Sequence, residues 1–339
     1  MPQYLPSILA RSLFAAALFT ASACVVGAAP AGKSIDPSTD VSTPTSRTTS
    51  TPNQTFYFGR YSIQVPTTGV DTWSSYKLID TNITLVSRDG RRDLPGKVSA
   101  AIAEINKLHA SGYPAYERTE NLDGGGAIVL AKSARYDLDV YYLTAGNAVY
   151  RQVVKSISPR SVDKALALAK EINALIHTRK PAEAPPAGSF AVESGYVVLP
   201  ADRFEEQVSI GLPVSSLPGI HLNFDTRRIG RTEPGLLSRV DQRSGNLPGA
   251  LGKIGARATV LRRAAREVAG LPFEEVLLKT SVDGRSVYAF RLEYPGSPES
   301  SMAPYTVLEL STLDQGATFA RDQDALRFWD DMVASMKRF

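Results

Sequence analysis

One cysteine, three histidines and two tryptophans are all that 339 residues hold of those types. The lone cysteine, Cys24, cannot close an intramolecular disulfide or build a multi-cysteine zinc site. His109, His177 and His221 form no His-x-x-x-His or His-x-His pair, so the local pattern supports no histidine metal site. His109 and His177 fall near the ends of expected helices and His221 on an expected strand, which suits surface or capping roles. The Gly-x-Ser-x-Gly elbow of the common serine hydrolases is absent. Gly124-Gly125-Gly126 runs into Ala127-Ile128-Val129-Leu130, a strand and not the helix N-terminus that a phosphate cradle needs, and reads as a hairpin turn. Gly249, Gly252 and Gly255, spaced by three, match neither nucleotide fingerprint. Glu274 and Glu275 are neighbours on an expected strand and point to opposite faces, so they share no acid/base site. Asp330 and Asp331 flank a helical stripe through Trp329 and read as its solvated side. No catalytic residue, cofactor site or metal site is therefore expected. The chain reads as a binding protein, not an enzyme.

Long apolar runs are also missing. Only Leu13 to Phe19 near the start is continuously apolar, and nothing later approaches the ~18 residues that a spanning helix needs. Arg11 precedes that run, and Ala21, Ser22 and Ala23 lead to Cys24. This is the layout of a secretory signal peptide over residues 1–24. Two endings are open. The Cys24 thiol carries a diacylglycerol group and tethers the protein to a membrane, or the signal is cut near Gly27-Ala28-Ala29 and Cys24 is lost with it. The expected address is the bacterial periplasm, and Val25 after the cysteine favours the outer membrane for an anchor. The net charge of +4 is too small for a dedicated nucleic-acid binder, and the envelope address argues the same way.

Residues 25–55 are rich in Ser, Thr, Pro and Asp and read as a disordered linker. Two α+β segments follow, 56–178 and 189–339, joined by a Pro-rich connector over 179–188 that contains Lys180-Pro181 and Pro185-Pro186. In the first, Phe56 to Pro66 alternates as a strand and Ser75 to Ser87 is extended. Val98, Ile102, Ile105 and Leu108 recur at helical spacing before Gly112. Three strands are then expected, Ala127 to Ala131, Leu138 to Leu143 and Val149 to Val154, with a closing helix from Ser161 to His177. The second repeats that order. Gln207 to Leu212 and Ile220 to Asp225 alternate as strands, and Glu233 to Val240 suits a short helix. Asp283-Gly284 is the strongest hairpin signal, between Phe273 to Ser281 and Ser286 to Tyr294. Tyr305 to Leu310 is another strand, and a last helix runs from Asp322 to Arg338, with Lys337 and Arg338 at the negative end of its dipole. The expected fold is α+β, two lobes, each a largely antiparallel sheet packed with helices and closed by a C-terminal helix.

One stretch is unusually basic. Arg227, Arg228, Arg231, Arg239, Arg243, Lys253, Arg257, Arg262, Arg263 and Arg266 face few acids in sequence. It reads either as a solvated face held by local salt bridges or as a docking surface for an acidic partner or anionic headgroups. Arg227, Arg228 and Arg231 are the candidate partner-binding residues.

Several stretches resemble a known family. They are Phe58-Gly59-Arg60-Tyr61-Ser62-Ile63-Gln64-Val65-Pro66, then Arg266-Glu267-Val268-Ala269-Gly270-Leu271-Pro272-Phe273-Glu274-Glu275, and finally Pro304, Leu308-Glu309-Leu310, Phe328-Trp329-Asp330 and Ser335. In order and spacing they resemble the two-domain immunity proteins that protect bacteria from type VI secretion phospholipase effectors of the fourth lipase class. The resemblance implies a periplasmic protein that captures its cognate lipase by a two-domain grasp, blocking substrate entry or lid opening. It transfers no contact residues, because the matched positions have scaffold roles. The alternative reading is an envelope lipoprotein with a structural or chaperone-like binding role.

Overall fold

The computed structural model describes residues 53–67, 73–180, 183–242, 248–254, 258–312 and 319–339. Cys24, the signal segment and nearly all of the expected linker lie outside them, as do Arg243 and Arg257. Residues 50–339 form one compact unit.

The first described element is a hairpin, β1 (Gln54–Phe58) and β2 (Tyr61–Val65). A second hairpin follows, β3 (Trp73–Leu78) and β4 (Thr81–Ser87), turning through Ile79 and Asp80 at φ 55° and 60°. Sequence reading takes Ser75 to Ser87 as one extended stretch. The turn carries no Gly or Asn to betray its positive φ angles, so alternation alone hides it. Helix α1 (Gly90–His109) leads to β5 (Ala115–Asn121), β6 (Ala127–Lys132), β7 (Tyr136–Leu143) and β8 (Val149–Ile157). The Gly124 turn joins β5 to β6. Helix α2 (Val162–Leu175) precedes three short strands, β9 (Ile176–Thr178), β10 (Phe190–Val192) and β11 (Gly195–Val197).

Next come β12 (Glu206–Pro213), β13 (His221–Arg227), and the short helices α3 (Leu236–Asp241) and α4 (Gly249–Lys253). β14 (Thr259–Val268), β15 (Leu271–Val282) and β16 (Arg285–Tyr294) form a meander. The Asp283-Gly284 turn has φ 50° and 75°, as its dipeptide predicts. β17 (Tyr305–Ser311) and α5 (Asp322–Ala334) complete the fold, with β18 (Lys337–Arg338) pairing against β2. The last helix is thus shorter than expected. Met336 is buried, and the Arg338 side chain donates to the Ala269 and Met302 carbonyls instead of capping the helix.

Twelve strands make one antiparallel sheet in the order β14-β15-β16-β17-β13-β12-β3-β4-β8-β7-β6-β5. Seven strands, β14 through β3, and five, β4 through β5, meet where β3 pairs with β4 at only two residue pairs, Lys77 with Asn82 and Leu78 with Thr81. Strand β3 of the first sequence segment pairs with β12 of the second over six positions.

The two faces differ. One carries α2, the β1–β2 hairpin and α5 over a continuous apolar core that includes Phe58, Tyr61, Phe224, Phe290 and Trp329. Trp329 is fully buried; its indole stacks edge-on to Phe290 and donates to the Glu275 carboxylate at 3.1 Å. Among the described residues, helices cover the opposite face only at its ends. α1 packs on Val129, Tyr141 and Val149 at one end, and α3 and α4 pack on Val276, Leu278, Val287 and Ala289 at the other. Among the described residues no helix is long and apolar enough to cross a membrane.

Candidate functional site

Between those two helical caps lies a strip of sheet, carried by β13, β12, β3 and β4, that no helix among the described residues covers. Its residues follow from the period of a strand. Val208, Ile210 and Leu212 of β12, Leu222 and Phe224 of β13, and Tyr76 and Leu78 of β3 are buried toward the core. Their alternates point the other way: Gln207 and Ser209, Asn223 and Asp225, Ser75 and Lys77. Register sets them in rows. Tyr305, Arg227, Gln207 and Lys77 lie side by side, then Val307, Asp225, Ser209 and Ser75, then Glu309, Asn223, Gly211 and Trp73. Lys77 opposite Asn82, and Thr84 opposite Arg151, carry the face on to β4 and β8. At about 4.8 Å per strand, four uncovered strands give a width of roughly 15–20 Å, enough for a helix or a loop of another protein.

Trp73 is the most conspicuous feature. It is 58% exposed although it sits on a paired strand. Its indole lies over Gly211 of the neighbouring strand, where any Cβ would collide with it. Glycine at 211 is thus what allows a large aromatic ring to lie along the sheet. Trp is among the residue types most enriched at the hot spots of protein interfaces.

Crevices lie at both edges of the strip. One, of 240 Å³, is lined by Gln207, Asp225, Thr226, Arg227, Arg291, Tyr305 and Val307. Here Arg291 is neutralised by Glu293 and Glu309 and donates to the Tyr305 hydroxyl at 2.9 Å, and burial pushes that phenol's pKa up. The Arg227 guanidinium sits 4.7 Å from the Tyr305 ring centre, and among the described residues it has no carboxylate in ion-pair reach. Asp225 accepts a hydrogen bond from Ser209. The other crevice, of 270 Å³, lies beneath α1 and is lined by Ile105, Leu108, Tyr113, Asp139, Arg151 and Val153. Arg151 makes a bidentate pair with Asp139, 2.7 Å on each arm.

Half of the ten cations of the basic stretch are paired inside the fold. Arg262 and Arg266 both engage Asp330 and the buried Glu275, Arg263 pairs with Asp241, and Arg239 with Glu293. Asp330 is therefore a salt-bridge acceptor and not the idle solvated side of its helix. Burial pushes its carboxyl up, but hydrogen bonds from Arg262 and Arg266 outweigh this and hold it below the usual carboxylate range. Of the three candidate residues, Arg227 lies on the strip, Arg228 pairs with Glu299 at 2.7 Å, and Arg231 is exposed in the stretch after β13. Sequence reading missed Trp73, Lys77 and Gly211. The signal available was a Trp beginning a polar alternation, but which strand lies beside it is invisible locally.

The histidines stay apart: His109 at the end of α1 is 2.9 Å from the Tyr113 carbonyl, His177 stacks on Tyr196, and His221 is exposed at the start of β13. Among the described residues no group of three or more His, Cys, Asp or Glu could hold a metal ion. Glu274 and Glu275 do project to opposite faces, Glu274 accepting from the Leu237 amide and Glu275 from Trp329.

An antiparallel sheet with a bare polar strip, an exposed aromatic anchor and cations along one row has the build of a protein-binding module. Residues 183–338 match the family model of the Tle cognate immunity protein 4 C-terminal domain, and the resemblance to type VI secretion immunity proteins is borne out. The apo immunity protein TplEi of the type VI secretion system of Pseudomonas aeruginosa is similar at 25% identity, over 84% of this chain and 97% of that one, with a TM-score of 0.74. The same protein complexed with an "L" peptide is similar at 25% identity, over 85% of this chain and 99% of that one, with a TM-score of 0.71. The Tle4–Tli4 complex contains a chain of the same fold, with 24% identity, 85% and 98% coverage and a TM-score of 0.73. Comparison with curated protein sequences finds no match.

Proposed function

We propose that this chain is an immunity protein that binds and neutralises a cognate type VI secretion phospholipase effector. The observation that carries this reading is the match of residues 183–338 to an immunity-protein domain, continued over nearly the full length of solved immunity proteins. The chain acts by covering its partner and transforms no substrate. Its five-strand and seven-strand portions act as two lobes of a grasp, joined at the short β3–β4 pairing, with α1 and the α3–α4 pair as the rims of the strip between them. A lipase held there cannot admit lipid or open its lid. The place of action is the periplasm. The signal segment delivers the chain, and a lipidated Cys24 with the Ser/Thr/Pro tether keeps it at the membrane.

Survival is the test. A candidate cognate lipase effector, sought among the genes beside this one, is directed to the periplasm of a sensitive host with and without the full chain. Rescue is expected, together with capture of the lipase by the purified protein. Equal killing in both cases refutes the reading. The anchor is tested separately: Cys24→Ala should move the protein from the membrane to the soluble periplasmic fraction.

A further inference from the structure

The immunity reading names a partner but not what recognises it. On the bare strip, Arg227 and Lys77 flank Gln207 in one cross-strand row, two strand spacings apart, or about 10 Å. Neither has an ion pair among the described residues, whereas Arg151, Arg228, Arg239, Arg262, Arg263, Arg266 and Arg291 all do. Asp225 in the next row accepts from the neutral Ser209 hydroxyl and keeps its charge, so Arg227 and Lys77 together outnumber one carboxylate. The net charge of these three groups is positive, and it is held on strands. Tyr305 fixes the Arg227 guanidinium from one side. Two rows away, Trp73 offers an exposed apolar surface held flat by Gly211.

Resting on the reading above, we infer that the strip takes an acidic segment of the effector, with carboxylates seated on Arg227 and Lys77 and an apolar side chain against Trp73. Charge complementarity selects this occupant. A second copy of this chain would bring the same unpaired cations face to face. Of the three arginines first marked as docking residues, only Arg227 belongs to this site.

The chain's two tryptophans make the test site-specific, since Trp73 is 58% exposed and Trp329 is fully buried. With 5-fluorotryptophan incorporated, the full chain gives two ¹⁹F lines, assigned by Trp73→Phe. Titration with the lipase should shift or broaden the Trp73 line and leave the Trp329 line in place. The double substitution Arg227→Glu with Lys77→Glu should weaken lipase binding about 30- to 100-fold at low salt and flatten its salt dependence, with circular dichroism unchanged. Trp73→Ala should weaken binding at every salt concentration. If the lipase binds tightly while the Trp73 line stays still and the charge reversal is silent, the inference is wrong and the immunity reading stands. If the wild-type chain does not bind the lipase at all, both fall. Sedimentation showing that the strip pairs two copies of this chain would overturn the inference as well.

Discussion

Arg60 and Glu206 make an ion pair that is nearly sealed from water, 3% and 5% exposed. Arg60 comes from the turn between β1 and β2, and Glu206 begins β12, so the pair ties the first hairpin to the central sheet across 146 residues. The contact is bidentate, Nε to Oε2 at 2.8 Å and Nη2 to Oε1 at 2.5 Å, and the third arm of the guanidinium donates to the Gly188 carbonyl. Removing one partner strands the other as a buried charge, which costs about 3–5 kcal/mol. The two single variants should nevertheless behave differently with pH. Glu206→Gln leaves the arginine charged at every pH tested, so its penalty should stay flat at pH values above the range in which the wild-type Glu206 titrates. Arg60→Leu leaves a carboxyl that can neutralise itself. Burial already pushes Glu206 above its ordinary value of 4.5, and Arg60 is the group that opposes the push. Without Arg60 the folded pKa rises further. The folded state then binds a proton that the unfolded chain does not, so stability recovers as pH falls from that raised pKa toward 4.5. The slope is about 1.4 kcal/mol per pH unit. Urea midpoints at pH 8, 6.5 and 5 measure this for both variants and for the double variant Arg60→Met with Glu206→Met. The double variant should lie within about 1.5 kcal/mol of wild type, since an apolar pair of similar volume often replaces a buried ion pair without loss. A Glu206→Gln penalty under about 1 kcal/mol would refute the reasoning, as would an Arg60→Leu penalty that does not shrink in acid.

Three further outcomes are expected. Trp329→Ala, which empties a fully buried site against Phe290 and deprives Glu275 of a donor, should cost about 3–5 kcal/mol, whereas Trp329→Phe should cost about 1–2 kcal/mol because Arg262 and Arg266 still satisfy Glu275; thermal and urea unfolding separate the two. Gly211→Ser should lift the Trp73 indole off the sheet, red-shift its emission and weaken effector binding while changing the unfolding midpoint little. Asp322 is held below its ordinary 3.8 by hydrogen bonds from Lys279 and then Tyr288, so its contribution is present above that value and is lost as pH falls through the depressed one. Asp322→Asn should therefore cost about 0.5 kcal/mol at pH 7, after allowance for screening at a part-exposed site, and progressively less as pH falls below 3.8.

Local chemistry made the strands and helices readable. The Asp283-Gly284 turn, the Trp329 stripe and the alternation of β12 and β13 each announce an element through its own residues. Adjacency did not show in the same way. Strand β3 lies beside β12, and β18 beside β2, because complementary half-buried edges meet across more than a hundred residues, and alternation identifies a strand without naming its neighbour. The bare strip was hidden for that reason, since it exists only once β13, β12, β3 and β4 are side by side. The basic stretch misleads in the opposite direction. Counted along the chain it is a strong positive run, yet Arg262 finds Asp330 68 positions away and Arg239 finds Glu293 54 positions away. A charge count sees the cations and not their distant partners.

That cancellation also bears on how recognition would work. If every arginine of the run faced water, the field would be broad, and it would attract anionic lipid as readily as an acidic protein. Internal pairing takes up Arg228, Arg239, Arg262, Arg263 and Arg266, and on the strip it leaves Arg227, which shares a row with Lys77 beside a seated tryptophan. Two cations at a fixed spacing discriminate by geometry, where ten loose ones would discriminate by total charge alone. Because the row is built on paired strands and not on loops, little ordering is left for the moment of binding, and less of the contact energy is lost to entropy. On the proposed reading, selectivity for one partner would follow from burying charge as much as from displaying it.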